Sequence, residues 1–255
     1  MAIVRAAELT TEGFRTLLDS GAPVVALVPV GSVEPHGPHL PLATDAVISE
    51  AAAERAAGKL AAKGLAPVLA PGIPYGVTRF AEGFAGAVSV PAEALTPFLR
   101  AVVDAWLAAG ATHVCLVNNH LEPAHDAAVR AAVAGVAPGR ASVACPLARR
   151  WARTLSAEFK SGACHAGRYE TSLVLAATPS LVDTRAAAAL PDVAISLSDG
   201  IRAGQESFGA MGMSRAYTGA PREATVAEGE DLLERLAVMV ATEVEEALAL
   251  IPRAG

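Results

Sequence analysis

Glu34 and His36 stand two residues apart just past an apolar run, and His120 and Glu122 repeat that arrangement further on. In extended backbone, residues i and i+2 point to the same side. Each pair can therefore turn one carboxylate and one imidazole into a common pocket. Asp45 follows at the start of an expected helix. Three carboxylates and two imidazoles mix hard oxygen with borderline nitrogen, which suits Zn²⁺, Mn²⁺ or Fe²⁺ better than Ca²⁺ or Cu⁺. Five ligands exceed what one catalytic zinc takes from a protein, but they fit two cations that share a bridging carboxylate. Two cations about 3.5–4 Å apart can polarise a carbonyl and lower the pKa of a shared water from roughly 15.7 to about 7. Amide hydrolysis at neutral pH needs both effects. A lone Glu-x-His in a loop is more often solvated, so pattern alone leaves metal binding and a solvated loop both open.

The surrounding elements would have to position these residues. Val24–Val30 (VVALVPV) and His113–Val117 (HVCLV) are short apolar runs of the kind found in strands covered on both faces. Each leads directly into one of the polar motifs, which puts both motifs at the same sheet edge. Ala66–Pro71 and Ala141–Cys145 read as further strands. Helices are expected from Thr10 or Thr11 to Leu18, over Ala46–Lys63 with Thr44 or Asp45 as cap, over Pro91–Ala109 and over Ala124–Ala134. Others are expected over Leu147–Phe159, Tyr169–Ala177 and Glu228–Ile251. Alternating strands and helices predict an α/β sandwich around a mostly parallel sheet, with ligands outside the carboxyl ends of the strands. Between the second and third strands, PGIPYGVTRFAEGFAGAVSVP (71–91) reads as a long functional loop. Its Arg79, Phe80 and Glu82 are candidates for substrate or subunit contact.

The chain has 255 residues, a net charge of −6 and no linker, charge block or repeat, which reads as a single domain over 1–255. The basic residues are scattered, so no nucleic-acid partner is expected. No run of about 18 uncharged apolar residues exists, so no membrane span is expected either. The opening MAIVRAAELTTEGF has no apolar core of a signal peptide. Three widely spaced cysteines do not form a disulfide framework, and together these features imply a cytoplasmic protein.

Several segments carry a resemblance. GSVEPHGPHLPLATD (31–45), NNHLEPAH (118–125) and HAGRYETS (165–172) resemble three motifs of the creatininase family, in order and at similar spacing. TGAPREATVAEG (218–229) resembles its C-terminal signature and YGVTRFAEGFAGAVSV (75–90) its central loop. The resemblance implies a three-layer sandwich, commonly assembled as a homohexamer, that hydrolyses C–N bonds with two divalent cations. It implies that Glu34, Asp45 and His120 hold one cation and that His36, Asp45 and Glu122 hold the other. It further implies catalytic roles for His165, in proton transfer, for Glu122, and for Glu170 near the cations. His39 resembles a recurrent histidine of the family, and either orienting other groups or acting as a structural hydrogen-bond donor fits it.

Two departures bear on the substrate. Many members read NGHGGN where this chain reads Asn118-Asn119-His120-Leu121-Glu122-Pro123; the glutamate resembles creatininase proper. Creatininase also encloses its flat substrate with tryptophans near the third motif. The only tryptophans here are Trp106, which reads as core, and Trp151. The expected activity is hydrolysis of a small-molecule amide, cyclic amide or formamide. The alternatives are a small-peptide peptidase of the kind found in mycofactocin maturation, within the same family, and an inactive scaffold. Asn118 and Asn119 could brace the second motif through Asx-type bonds, His125 reads as a surface helix position, and Cys164 is a minor candidate for a thiolate nucleophile.

Overall fold

The computed structural model describes residues 3–252. Strands β1 (Val24–Val30), β2 (Ala66–Leu69), β3 (His113–Asn118) and β4 (Ala141–Ala144) form a parallel sheet in the order β2-β1-β3-β4. Every residue of β1 and β3 is buried. The strand alternation divides their side chains between two cores. Val25, Leu27, Cys115 and Val117 face α2 (Thr44–Ala61), α7 (Arg168–Ala177) and α10 (Val226–Leu248). Ala26, Val28, Val114 and Leu116 face α3 (Ala92–Ala108) and α4 (Pro123–Val133). Apolar burial on both faces, worth roughly 25 cal/mol per Å², explains why the strands read as unbroken apolar runs. The three-layer expectation matches this arrangement. A short helix, α1 (Thr11–Asp19), is capped by the Thr10 hydroxyl and leans on the β2 side.

Connections leave β1 and β3 toward opposite sides of the sheet, which opens a crevice at their carboxyl ends. Val30 pairs in register with Asn118. The motifs that follow them, 31–45 and 119–125, thus start side by side. At Gly31 a Cβ would lie 2.6 Å from the Ala46 backbone nitrogen, so only glycine lets the end of β1 touch the first turn of α2. A separate small core of Ala81, Phe208, Met213 and Ala216, with Phe80 and Phe84 against it, roofs the crevice.

Boundaries differ from expectation in three places. The Leu147–Phe159 helix is two short ones, α5 (Arg149–Ala152) and α6 (Ala157–Ser161). Ser156 takes extended backbone and caps α6 by accepting from Phe159 N–H, so the chain restarts rather than continues. Helices α8 (Thr184–Ala189) and α9 (Leu197–Arg202) lack a periodic apolar face long enough to be read from sequence. Neither Thr44 nor Asp45 caps α2: both lie inside its first turn, and Ala43 precedes it without a side-chain bond. Trp151 does not reach the crevice; its indole N–H donates to Glu243 on α10.

Two glycines test the packing. Gly58 on α2 has open space around it, whereas a Cβ at Gly229 would lie 1.8 Å from the Ser172 carbonyl oxygen. Gly58→Ala should stabilise the fold by up to about 1 kcal/mol through helix propensity. At Gly229→Ala the same gain is outweighed by overpacking of roughly 1–3 kcal/mol or more. Opposite shifts in thermal melting are expected; two shifts of one sign would contradict the α7–α10 contact.

His113 opens β3 fully buried, its Nδ1–H donating to Gly139 O at 2.8 Å and its Nε2 accepting from the Ser142 hydroxyl at 2.8 Å. Burial lowers its pKa, with Arg140 adding to the effect. The unfolded chain titrates this group near the ordinary 6.5 and so binds more protons below that pH. Its contribution is complete above about pH 6.5 and falls as the pH drops below it. Denaturant melts at pH 7 and pH 5 should show a shallower loss for His113→Asn than for the parent chain; equal losses would exclude the linkage.

Candidate metal centre

The first motif supplies three buried groups. His36 donates from Nδ1 to the Glu34 carbonyl oxygen at 3.0 Å, which leaves Nε2 facing inward. That Nε2 has no hydrogen-bond partner and lies 3.2 Å from Asp45 Oδ1, 3.5 Å from Glu170 Oε2 and 3.8 Å from Glu34 Oε1. Asp45 comes from the first turn of α2, and Ser32 Oγ donates to its Oδ2 at 3.1 Å. The other carboxylate, Glu34, accepts from the Thr78 hydroxyl.

The second motif arrives from β3. Both arms of the Asn118 amide clamp the His120 backbone: Oδ1 accepts from His120 N–H at 3.0 Å and Nδ2 donates to His120 O at 3.1 Å. The Asx-type bracing expected here is present at Asn118, whereas Asn119 donates from Nδ2 to Ser49 Oγ at 3.2 Å. His120 donates from Nε2 to Val77 O at 2.7 Å and turns Nδ1 toward Asp45 Oδ2 at 3.0 Å. Asp45 thus presents one oxygen to each histidine, which is the geometry of a bridging carboxylate. Glu122 accepts from Phe80 N–H on Oε2 at 3.2 Å, and its Oε1 is buried without a partner.

The third motif closes the far side. His165 donates from Nε2 to Pro35 O at 3.0 Å and faces Glu34 Oε1 with Nδ1 at 3.4 Å. Its ring lies between His36 and Phe208, each centroid 4.4 Å away. Glu170, in the first turn of α7, accepts from Ala166 N–H at 2.7 Å. Ala166 adopts φ 50°, a left-handed conformation unusual for alanine, to aim that N–H. His39 is buried as well, but its Nε2 bonds the Thr171 hydroxyl at 2.8 Å. Burial pushes its pKa down to about 4. It braces α7 against the first motif.

All seven site residues expected from sequence therefore meet at one place. Of three sets whose ligand atoms lie within 4.8 Å of one another, Glu34–His120–Glu122 and His36–Asp45–Glu170 share no residue, whereas Glu34–His36–His165 overlaps both. The division differs from the one the family resemblance implies, because Glu170 rather than Glu122 stands beside His36 and Asp45. Phe80 N–H holds Glu122 on the β3 side, and the first turn of α7 brings Glu170 up beside His36.

The electrostatics call for positive charge. Burial opposes protonation of His36, but Asp45 and Glu170 outweigh it and push the pKa up to about 10. His120 likewise rises to about 10, with burial overcome by Glu34 and Asp45. Asp45 is held well below the carboxylate range, because the two imidazoles outweigh burial. Glu170 is raised to about 8 by burial, partly offset by His36. Unpaired buried ligand atoms and a carboxylate-rich set of oxygen and nitrogen donors fit divalent cations. His165 sits well below its ordinary value, first through burial and then through His36, so it is neutral.

Two connected cavities open at the centre. The inner one, about 30 Å³, is lined by Glu34, Asp45, His120, His165 and Glu170 with apolar Phe80, Leu121 and Phe208. The outer cleft, about 550 Å³, shares Phe80, Glu122, Pro123 and Ile201 with it and adds Arg79, Glu82 and Glu206. Cys164 also lines the inner cavity, but burial and then Glu170 push its thiol up to about 12, which removes it as a nucleophile.

The family described as creatininase, creatinine amidohydrolase, matches residues 7–244. The chain belongs to the creatininase family. Among curated proteins it is 34% identical over 220 residues to the mycofactocin precursor peptide peptidase of Mycobacterium ulcerans (strain Agy99), covering 82% of this chain and 80% of the relative. It is 33% identical over 222 residues to the peptidase of the same description from Mycobacterium tuberculosis (strain CDC 1551 / Oshkosh), covering 83% and 80%. Among solved structures, a creatinine amidohydrolase (creatininase) superposes with a TM-score of 0.73 at 21% identity, covering 99% of this chain and all of that one. A creatininase described as a manganese form gives 0.72 at 21% identity, covering 98% of this chain and 100% of that one. These structures establish a shared fold.

Several residues of the site escaped the sequence reading. Thr78 and the Val77 carbonyl lie in the glycine-rich loop, where nothing in residue type marks a contact with Glu34 or His120. Phe208 belongs to a segment without periodicity. His125 is fully buried rather than on a helix surface.

Asp45→Ala should lower divalent-cation occupancy in both groups, whereas Glu170→Gln should lower it in the His36 group first. Elemental analysis of purified variants against the parent chain reads this directly; undiminished occupancy in Asp45→Ala would refute the bridge.

Proposed function

We propose that this protein is a metal-dependent hydrolase of C–N bonds that holds two divalent cations and acts on an extended, peptide-like amide. Asp45, with one oxygen turned to His36 and the other to His120, carries the two-cation part of the reading. Bound there, the cations would supply Lewis acidity toward the substrate carbonyl and an activated water. Zn²⁺, Mn²⁺ and Fe²⁺ all suit the donor set.

The chain's own residues support the remaining steps. Pro35 O holds the His165 proton on Nε2, which leaves Nδ1 facing Glu34 as the atom for proton exchange. Glu122 borders both cavities, and burial raises its carboxyl. Its free Oε1 can hold a cation or pass a proton toward a leaving nitrogen in the cleft. Phe80, Leu121 and Phe208 exclude bulk water.

The wide outer cleft beside the centre supports a peptide-like substrate. A reacting amide must enter from the outer cleft, whose 550 Å³ falls in the range of ligand sites. The peptidase descriptions of the curated relatives agree with this reading. One domain over 1–255, a homohexameric assembly and a cytoplasmic location complete the proposal; among the described residues no helix is long and apolar enough to cross a membrane.

The deciding experiment incubates the chain, loaded with Mn²⁺ or Zn²⁺, with a panel of short peptides and with creatinine, and follows new amino groups by mass spectrometry. Peptide cleavage abolished by chelator and restored by either cation is expected. Cleavage of creatinine alone would return the small cyclic amide. A chain that takes up no cation and cleaves neither would be the inactive scaffold.

A further inference from the structure

One short segment, residues 76–80, orients every member of one cation group. The Val77 carbonyl accepts from His120 Nε2–H at 2.7 Å, the Thr78 hydroxyl donates to Glu34, and Phe80 N–H donates to Glu122 at 3.2 Å. The other group takes its orientation elsewhere: His36 from the Glu34 carbonyl, Asp45 from Ser32 and Glu170 from Ala166 N–H. Irregular backbone holds three ligands only if it is itself held. Val90 N–H bonds Gly76 O at 2.8 Å and Thr78 N–H bonds Ser89 Oγ at 3.0 Å, both from the return arm of the same loop. Val77 N–H instead donates to Nδ1 of His125, 3.2 Å away in the first turn of α4.

The His125 imidazole is fully buried. A Cβ on Gly76 would stand 2.6 Å from its ring, so the loop backbone lies flat against it. Its ring meets that of His120 edge-on at 4.7 Å. With Nδ1 accepting, its proton sits on Nε2, and among the described residues Nε2 has no partner. Packing does not explain a buried donor left unpaired. The neighbouring inward positions of α4 are Ala128, Val129 and Ala132, and an apolar residue would fill the space without that cost. What the imidazole adds is an acceptor for Val77 N–H.

We propose that His125 is a positioning residue for the Glu34–His120–Glu122 group. By accepting from Val77 N–H it fixes that peptide plane, and the Val77 carbonyl then holds His120 with its proton on Nε2 and its Nδ1 lone pair turned to the cation. The inference rests on the two-cation reading above. Groups that orient metal-ligating histidines typically change affinity by about 10–100-fold when lost.

The test measures Mn²⁺ and Zn²⁺ binding by titration calorimetry on the metal-free full chain. The parent chain should bind two equivalents; binding of none would sink the two-cation reading itself and leave His125 nothing to position. Given two equivalents, His125→Leu should weaken one by about 10–100-fold and leave the other unchanged. His125→Asn, whose side-chain oxygen can replace Nδ1, should recover most of the loss. Equal affinities in His125→Leu and the parent, or equal loss at both equivalents, would overturn the proposal. Imidazole ¹⁵N spectra of the Zn²⁺-loaded parent need no variant to fold: protons on Nε2 of both His120 and His125 are expected, and a proton on Nδ1 of either would overturn it too.

Discussion

Carboxylates withdrawn from water repel one another and lose their hydration, and four of them, Glu34, Asp45, Glu122 and Glu170, are buried at one end of this sheet. Nothing apolar stabilises such a cluster. Glu34 Oε1 lies 3.8 Å from both His36 Nε2 and His120 Nδ1, and those two imidazoles are pulled toward protonation by the acids around them. Protons on the histidines and cations between the acids are two ways of meeting the same demand. Of the two, only cations also use the unpaired His36 Nε2 and Glu122 Oε1 as ligands. Removing one member of a buried charge set typically costs about 3–5 kcal/mol, because the rest are left uncompensated. The surrounding architecture therefore serves to bring the acids together and to leave room for a compensating charge.

The parallel sheet provides the place. Its order turns the chain in opposite directions after β1 and β3, so the crevice between them needs no dedicated cavity. Backbone groups then do most of the aiming. Carbonyls of Glu34, Val77 and Pro35 fix three histidine tautomers, and N–H groups of Phe80 and Ala166 fix two carboxylates. Irregular segments can offer backbone groups in this way because their polar atoms are not consumed by helix or ladder bonds.

That division explains which parts of the molecule could be read from sequence. The strands were legible because burial on both faces leaves unbroken apolar runs. The ligands were legible because carboxylate and imidazole are the donors such chemistry requires, repeated at i, i+2. The aiming groups were not, since a carbonyl or an N–H looks the same at every residue. Thr78 shows the limit: one hydroxyl in a glycine-rich loop carries no mark of its contact with Glu34. His125 shows the converse, where a polar side chain on an apparently amphipathic helix faces inward for one backbone N–H. The break between α5 and α6 was hidden for a further reason, because the serine that caps the second helix is also tolerated within a continuous one.

The Glu34–His120–Glu122 and His36–Asp45–Glu170 groups are not braced in the same way. The His36–Asp45–Glu170 group is braced by the first motif and α7, both within the main body of the fold. The Glu34–His120–Glu122 group is braced by residues 76–80, and the same segment supplies Arg79 and Phe80 to the outer cleft. Phe80 presents its ring to the cleft and its N–H to Glu122. Its carbonyl also accepts from Phe208 N–H at 2.7 Å, which ties the loop to the roof beside His165. On the proposed reading, a substrate that presses on Phe80 thus acts on a cation ligand through one residue. A fixed group beside a group carried on the substrate-contacting loop lets one side keep its geometry while the other adjusts to what is bound. On that reading, a change in the loop can alter the accepted amide without moving Asp45, which the first turn of α2 holds.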